Sequence, residues 1–122
     1  MTAKLLALLC VVAGSGCGLG ATACPDLAAA NFTVTVLDAA TSQRICDATV
    51  TATETSTGTT MSLSSFGGSA DCTYSGGFYE RAGTFSISVQ KSGYVTATQS
   101  GVVVTKGVCN VSTVPLTIRL SK

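Results

Sequence analysis

Residues 81–94 impose the tightest constraint on the fold. Phe85, Ile87 and Val89 alternate with Ser86 and Ser88, with Thr84 before them and Gln90 after. A two-residue period puts all three apolar side chains on one face of an extended strand, and that face needs a second layer to bury it. Gly83 marks a turn before the strand, and Lys91, Ser92 and Gly93 form a short hairpin-type connection after it. The same period recurs in 32–37, in 45–54 with Ala48, Val50 and Ala52 on one face, and in 114–120 with Leu116, Ile118 and Leu120 facing inward. Residues 59–63 predict a weaker strand, and 94–105 a longer one with a bulge at Gly101. Residues 64–79 read as a long loop with a short strand near 72–74 or 78–79. Pro115 lacks an N–H, which places it at a strand start or a sheet edge. From Asn31 onward no window carries the spacing of an amphipathic helix. The expectation is all-β: about seven strands in an antiparallel Greek-key β-sandwich.

The chain has 122 residues, room for one domain. Its first part has the layout of a secretory signal: a basic start at Lys4, an apolar run over 5–13, and small residues closing on Cys17. The run is too short to span a bilayer, which takes roughly 20 apolar residues. We expect a lipoprotein-type signal peptide over 1–16, a tether over 17–31 and the β-domain over 32–122. Ser15 and Gly16 fit a lipoprotein signal, in which the following cysteine, here Cys17, receives a diacylglyceryl thioether; Gly14 stands where Leu is usual. Ala21, Thr22 and Ala23 before Cys24 offer a second candidate anchor, which would leave three cysteines in the domain, and a plainly secreted chain cut after Ala23 is the other alternative. With Gly18 rather than Asp following, the resemblance to such lipoproteins implies the outer membrane of a bacterial envelope. The implied partner is the membrane, through the N-terminal lipid.

Of six cysteines, Cys10 leaves with the signal and Cys17 is the proposed anchor, so Cys24, Cys46, Cys72 and Cys109 remain as an even set for an oxidising compartment. Four cysteines allow three pairings, and sequence alone does not choose among them. Antiparallel strands set Cys46 and Cys72 at one end and Cys24 near Cys109, so Cys46–Cys72 and Cys24–Cys109 is the expected set.

Charged residues make up 11% of the chain, against roughly 25% in an average domain, so the surface is rich in Thr and Ser. Removing Lys4 from the seven basic residues leaves six, against six acids, and they are scattered. No basic footprint for nucleic acid exists.

The order V-x-V-x-D, then I-C-D-A-T-V-T-A, then an aromatic and glycine segment, then E-R-A-G-T-F-S-I-S-V-x-K-S-G-Y, then C-N-V and a last strand resembles the carboxypeptidase regulatory-like domain. The resemblance covers 31–120, with Ala82 where Pro is common and Phe85 where Tyr is common. It implies a seven-stranded prealbumin-like sandwich that serves as a structural or accessory module, without a chemistry of its own.

The chain has no His, which removes the commonest general base and the Ser-His and Cys-His nucleophile pairs. It also has no C-x-x-C pair, so we expect no metal site, no cofactor and no catalytic residues. Asp71 and Glu80 flank the aromatic loop and read either as solvated charges or as an acid pair, and Glu80 with Arg81 as a local ion pair. Phe66, Tyr74, Phe78 and Tyr79, among Gly67, Gly68, Gly76 and Gly77, read either as plugs for the core or as a platform for a ligand. Two function classes follow: a non-enzymatic structural or protein-interaction module at the cell envelope, or a carbohydrate-binding module using 66–79, with an envelope protein or a glycan as partner. Asn31 and Asn110 head glycosylation-acceptor triplets, which a Thr/Ser-rich chain produces by chance.

Overall fold

The computed structural model describes Cys24, residues 26–66 and residues 72–122; the expected signal peptide, Cys17 and Asp71 lie outside them, as does the side chain of Phe66. The described residues form seven strands: β1 (Phe32–Asp38), β2 (Thr49–Glu54), β3 (Thr60–Phe66), β4 (Thr73–Ser75), β5 (Gly83–Gln90), β6 (Ala97–Val104) and β7 (Val114–Leu120). No helix occurs among them.

The strands make one mixed sheet in the order β6-β5-β2-β3-β4-β1-β7. Two features depart from the expected antiparallel two-sheet arrangement. First, β7 runs parallel to β1 along its whole length, from Phe32 opposite Val114 to Asp38 opposite Leu120. Second, β3 belongs to both halves: Thr60 to Leu63 pair with β2, and Ser64 to Phe66 pair with β4. One strand long enough to serve two neighbours in succession makes the sheet continuous. It curls until its two edges meet at one point, where Val95 N–H donates to Ser121 O at 2.7 Å, giving a nearly barrel-like shape.

Alternation fills the interior. Phe32, Val34 and Val36 of β1 face Val50 and Ala52 of β2, Phe85, Ile87 and Val89 of β5, and Ile118 and Leu120 of β7 across one core. Each fully buried large side chain contributes roughly 1.5–3 kcal/mol. Phe85 is the hub: its ring meets Phe32 edge-on at 5.1 Å and Phe78 at 5.0 Å. The bulge falls where Gly101 announced it. Between Phe85↔Val102 and Ile87↔Gln99, β5 advances two residues and β6 three, and Gly101 takes a φ of 68°. The second strand is shorter than its sequence pattern, beginning at Thr49, because 45–48 are held otherwise, as described below.

Candidate functional site

The end of the domain where β1 begins gathers three segments: the chain from Cys24 to Asn31, residues 76–81, and the connection between β6 and β7. Ala30 bridges Tyr79, Lys106 bridges Val111, and a disulfide joins Cys24 to Cys109. Glu80 sits at their junction with a φ of 53°. Its carboxylate accepts hydrogen bonds from the Ala29 amide at 2.6 Å, the Val111 amide at 2.9 Å and the Asn110 side-chain amide, with Lys106 Nζ at 3.5 Å. These donors, the Ala29 amide foremost, hold its pKa at about 2. Glu80 is therefore neither a solvated loop charge nor a poised acid. It is a peg that locks the incoming chain to the β6–β7 connection.

Glu80 also does not pair with its neighbour. Arg81 reaches Glu54 instead, Nε to Oε2 at 2.7 Å and Nη2 to Oε1 at 3.0 Å, while Thr57 Oγ1 donates to the same carboxylate at 2.6 Å. The arginine bonds, and then the threonine hydroxyl, depress the Glu54 pKa. Beside this pair, the fully buried Asn31 behaves like a piece of strand: its amide donates to Arg81 O at 2.7 Å and its carbonyl oxygen accepts from Arg81 N at 3.1 Å. The first glycosylation triplet is thus closed to modification in the folded chain. The second is engaged as well, since Asn110 holds Glu80 and reaches Leu27 O at 3.3 Å.

The four candidate aromatic contacts separate. Tyr74, on β4, is 2% exposed, and its hydroxyl donates to Ile45 O at 2.7 Å and accepts from Ala48 N at 3.1 Å. Phe78 is 6% exposed and packs on Phe85. Neither ring can stack on a ligand, because both are spent on the core. Phe66 ends β3 opposite Thr73. Tyr79 is 50% exposed and, among the described aromatics, is the ring most open to solvent. A disulfide joins Cys46 to Cys72 beside the Tyr74 clasp, so covalent and hydrogen bonds together hold 45–48 off the sheet. Both bridges join the pairs expected from the chain order. Disulfides persist in oxidising compartments, and the two together point to an extracytoplasmic address.

At the opposite end, Tyr94 OH donates to Asp38 Oδ2 at 2.7 Å, and Asp38 Oδ1 accepts from the Ala40 and Thr41 amides. These bonds, the tyrosine's first, hold the Asp38 pKa at about 2. Lys122 lies 5.4 Å from the Tyr94 ring and lines an open cleft of about 420 Å³ with Asp38, Thr41 and Leu120. Both carboxylate oxygens of that aspartate are engaged by these donors.

Between the two ends, the outward side chains of three strands register into one neutral face. Thr51 stands opposite Ser62 and Ser88, and Thr53 opposite Thr60 and Ser86. Thr53 and Thr60 share a 2.8 Å hydroxyl hydrogen bond. Thr98 extends the row from Ser88 onto β6. The sequence shows the hydroxyl on each strand, but only the pairing register shows that they make a continuous surface. Among the described residues, no group of three or more His, Cys, Asp or Glu is placed to hold a metal ion. Compared with known proteins, the chain matches no family model and no curated protein.

Proposed function

We propose that this chain is an exported, non-enzymatic module, anchored in the bacterial envelope through a lipid on Cys17, with the outer membrane as its destination. Its mechanism is presentation of a rigid, uncharged β surface to an envelope partner. The sheet, curled around one core with β7 beside β1, is read as a sandwich of the carboxypeptidase regulatory-like type; the sequence order of its elements is what supports that reading. The observation that carries the functional proposal is the use made of the carboxylates. Asp38, Asp47, Glu54 and Glu80 are each bound to a cation, an amide or a hydroxyl of the scaffold. Charges spent on holding loops are unavailable for acid–base work, and their removal from the sheet face leaves Thr and Ser to meet the partner.

The test is in-cell photo-crosslinking with a photoreactive residue at Ser62, on the hydroxyl face. A discrete adduct with an envelope protein is the expected result. A domain that crosslinks to nothing at Ser62 or at Tyr79 contradicts an interaction role. The carbohydrate-binding alternative now rests on Tyr79 and Phe66. A glycan array on which wild-type protein and Tyr79→Ala both stay blank removes it.

A further inference from the structure

Two of the most exposed large apolar side chains lie at the same end of the molecule. Leu27 is 83% exposed and Val108 87% exposed. Leu27 follows Cys24 by three residues, Val108 precedes Cys109 by one, and the disulfide ties the two segments together. Asn110 reinforces the tie by donating to Leu27 O. Tyr79, half-exposed, sits across from Ala30 at this end. Two large aliphatic side chains left in water are apolar surface whose burial is favoured. Leu27 and Val108 also contribute nothing to the core, so the fold does not account for them.

The chain itself says what covers them. If Cys17 carries the lipid, residues 18–23 are all that separate the bilayer from Cys24. Seven peptide steps reach at most about 25 Å. Without the Cys24–Cys109 bridge the free tether would run to Ala29, where Glu80 pegs the chain, and would reach about 43 Å. The bridge thus shortens the leash, and what it draws toward the membrane is the tip that bears Leu27 and Val108. Among the described residues lining the cleft there, Lys106 lies against Glu80, and Asp26 is the remaining ionic group. An apolar, nearly neutral tip with an amphipathic tyrosine beside it matches the chemistry of the interface between headgroups and acyl chains.

We infer that Leu27 and Val108 dock into the surface of the membrane that holds the Cys17 lipid, and so set the orientation of the domain with β1 and β7 rising away from the bilayer. The inference rests on the anchored reading proposed above. In this orientation the Asp38–Tyr94 end is distal, and the hydroxyl face stands upright, open to a partner from the side.

The chain contains no Trp, so a single introduced Trp reports without background. Full-length protein extracted from membranes is reconstituted into vesicles of phosphatidylethanolamine and phosphatidylglycerol containing phosphatidylcholine brominated on the acyl chain near the headgroup. Three variants are compared: Val108→Trp, Leu27→Trp and, as the distal control, Val95→Trp, whose backbone meets Ser121 beyond the end of β7. All three sites are exposed, and unchanged thermal unfolding checks that the fold is kept. The expected result is that Trp at 108 and at 27 loses most of its fluorescence to the bromine while Trp at 95 keeps it. Lipid-bearing protein in which position 108 is quenched no more than position 95 overturns the docking and leaves the anchor standing. A mass spectrum of the same sample without acyl groups on Cys17 overturns the anchor, and the docking with it.

Discussion

Tyr74→Phe isolates one hydroxyl. In the wild type that oxygen donates to Ile45 O at 2.7 Å and accepts from Ala48 N at 3.1 Å, from a side chain 2% exposed. The ring stays in Tyr74→Phe, so no cavity opens, but a backbone carbonyl and a backbone amide lose their partner together. Each backbone group left unsatisfied costs roughly 1–3 kcal/mol when buried, and relaxation of 45–48 toward water recovers part of it. A net loss of about 2–3 kcal/mol follows. For a domain of this size 1 kcal/mol moves Tm by roughly 4–8 °C, so the midpoint should fall by about 10–20 °C. Urea denaturation followed by far-UV circular dichroism reads the loss directly, with both disulfides intact in each sample. Tyr79→Phe is the matched control at a 50% exposed ring and should change stability by less than about 0.5 kcal/mol. If the two substitutions cost the same, Tyr74 is not a clasp, and the division of the aromatic segment into core and surface is mistaken.

Acid should unfold the protein through Glu80 and Asp38. Both have pKa values near 2 in the fold against ordinary values of 4.5 and 3.8, so their contribution is complete above about pH 4.5 and is lost as pH falls toward 2. Glu80→Gln should lower stability at pH 7 and flatten the decline between pH 4.5 and 2 in urea titrations across that range; an unchanged slope refutes the peg. Removing the Cys24–Cys109 bridge, whose separation is 85 residues, should cost roughly 4–5 kcal/mol, and removing Cys46–Cys72, with a separation of 26, about 3.5 kcal/mol. Paired Cys→Ser variants compared by urea midpoint would contradict this loop-closure ordering if the second were clearly the costlier. Gly77→Ala should destabilise by roughly 1–3 kcal/mol, since φ is +74° and a Cβ would stand 3.0 Å from Ser62 O; Gly58→Ala, at a similar φ in open space, should cost less in the same assay.

Strand content was legible wherever a two-residue period met a turn. Residues 114–120 became β7 with Ile118 and Leu120 buried and Thr117 and Arg119 exposed, as the alternation required, and Pro115 lies on an edge strand. Gly101 announced its own bulge. The parallel pairing of β1 with β7 was not legible, because period two is the same for either direction and only the path of the connections decides it. Residues 45–48 carry a strand pattern but are held by Tyr74 and the Cys46–Cys72 bridge, contacts far away in sequence that override local preference. Glu80 and Asn31 were missed for a related reason. A lone acid before Arg81 and an Asn before a strand look like surface residues, and only the meeting of three segments at one end turns them into structural pegs. The aromatic segment left core and ligand readings open because a ring's burial depends on which way its strand faces, and β4 has only three residues to show an alternation.

The anchor, and the orientation that depends on it, are decided at the N-terminus. Intact-mass analysis of the protein extracted from membranes, before and after reduction, measures it most directly. We predict a chain lacking residues 1–16, carrying a diacylglyceryl group and further acylation on Cys17, and gaining four hydrogens on reduction of the two disulfides. An unmodified chain that begins at Cys24, or one that takes up no hydrogens on reduction, would contradict it.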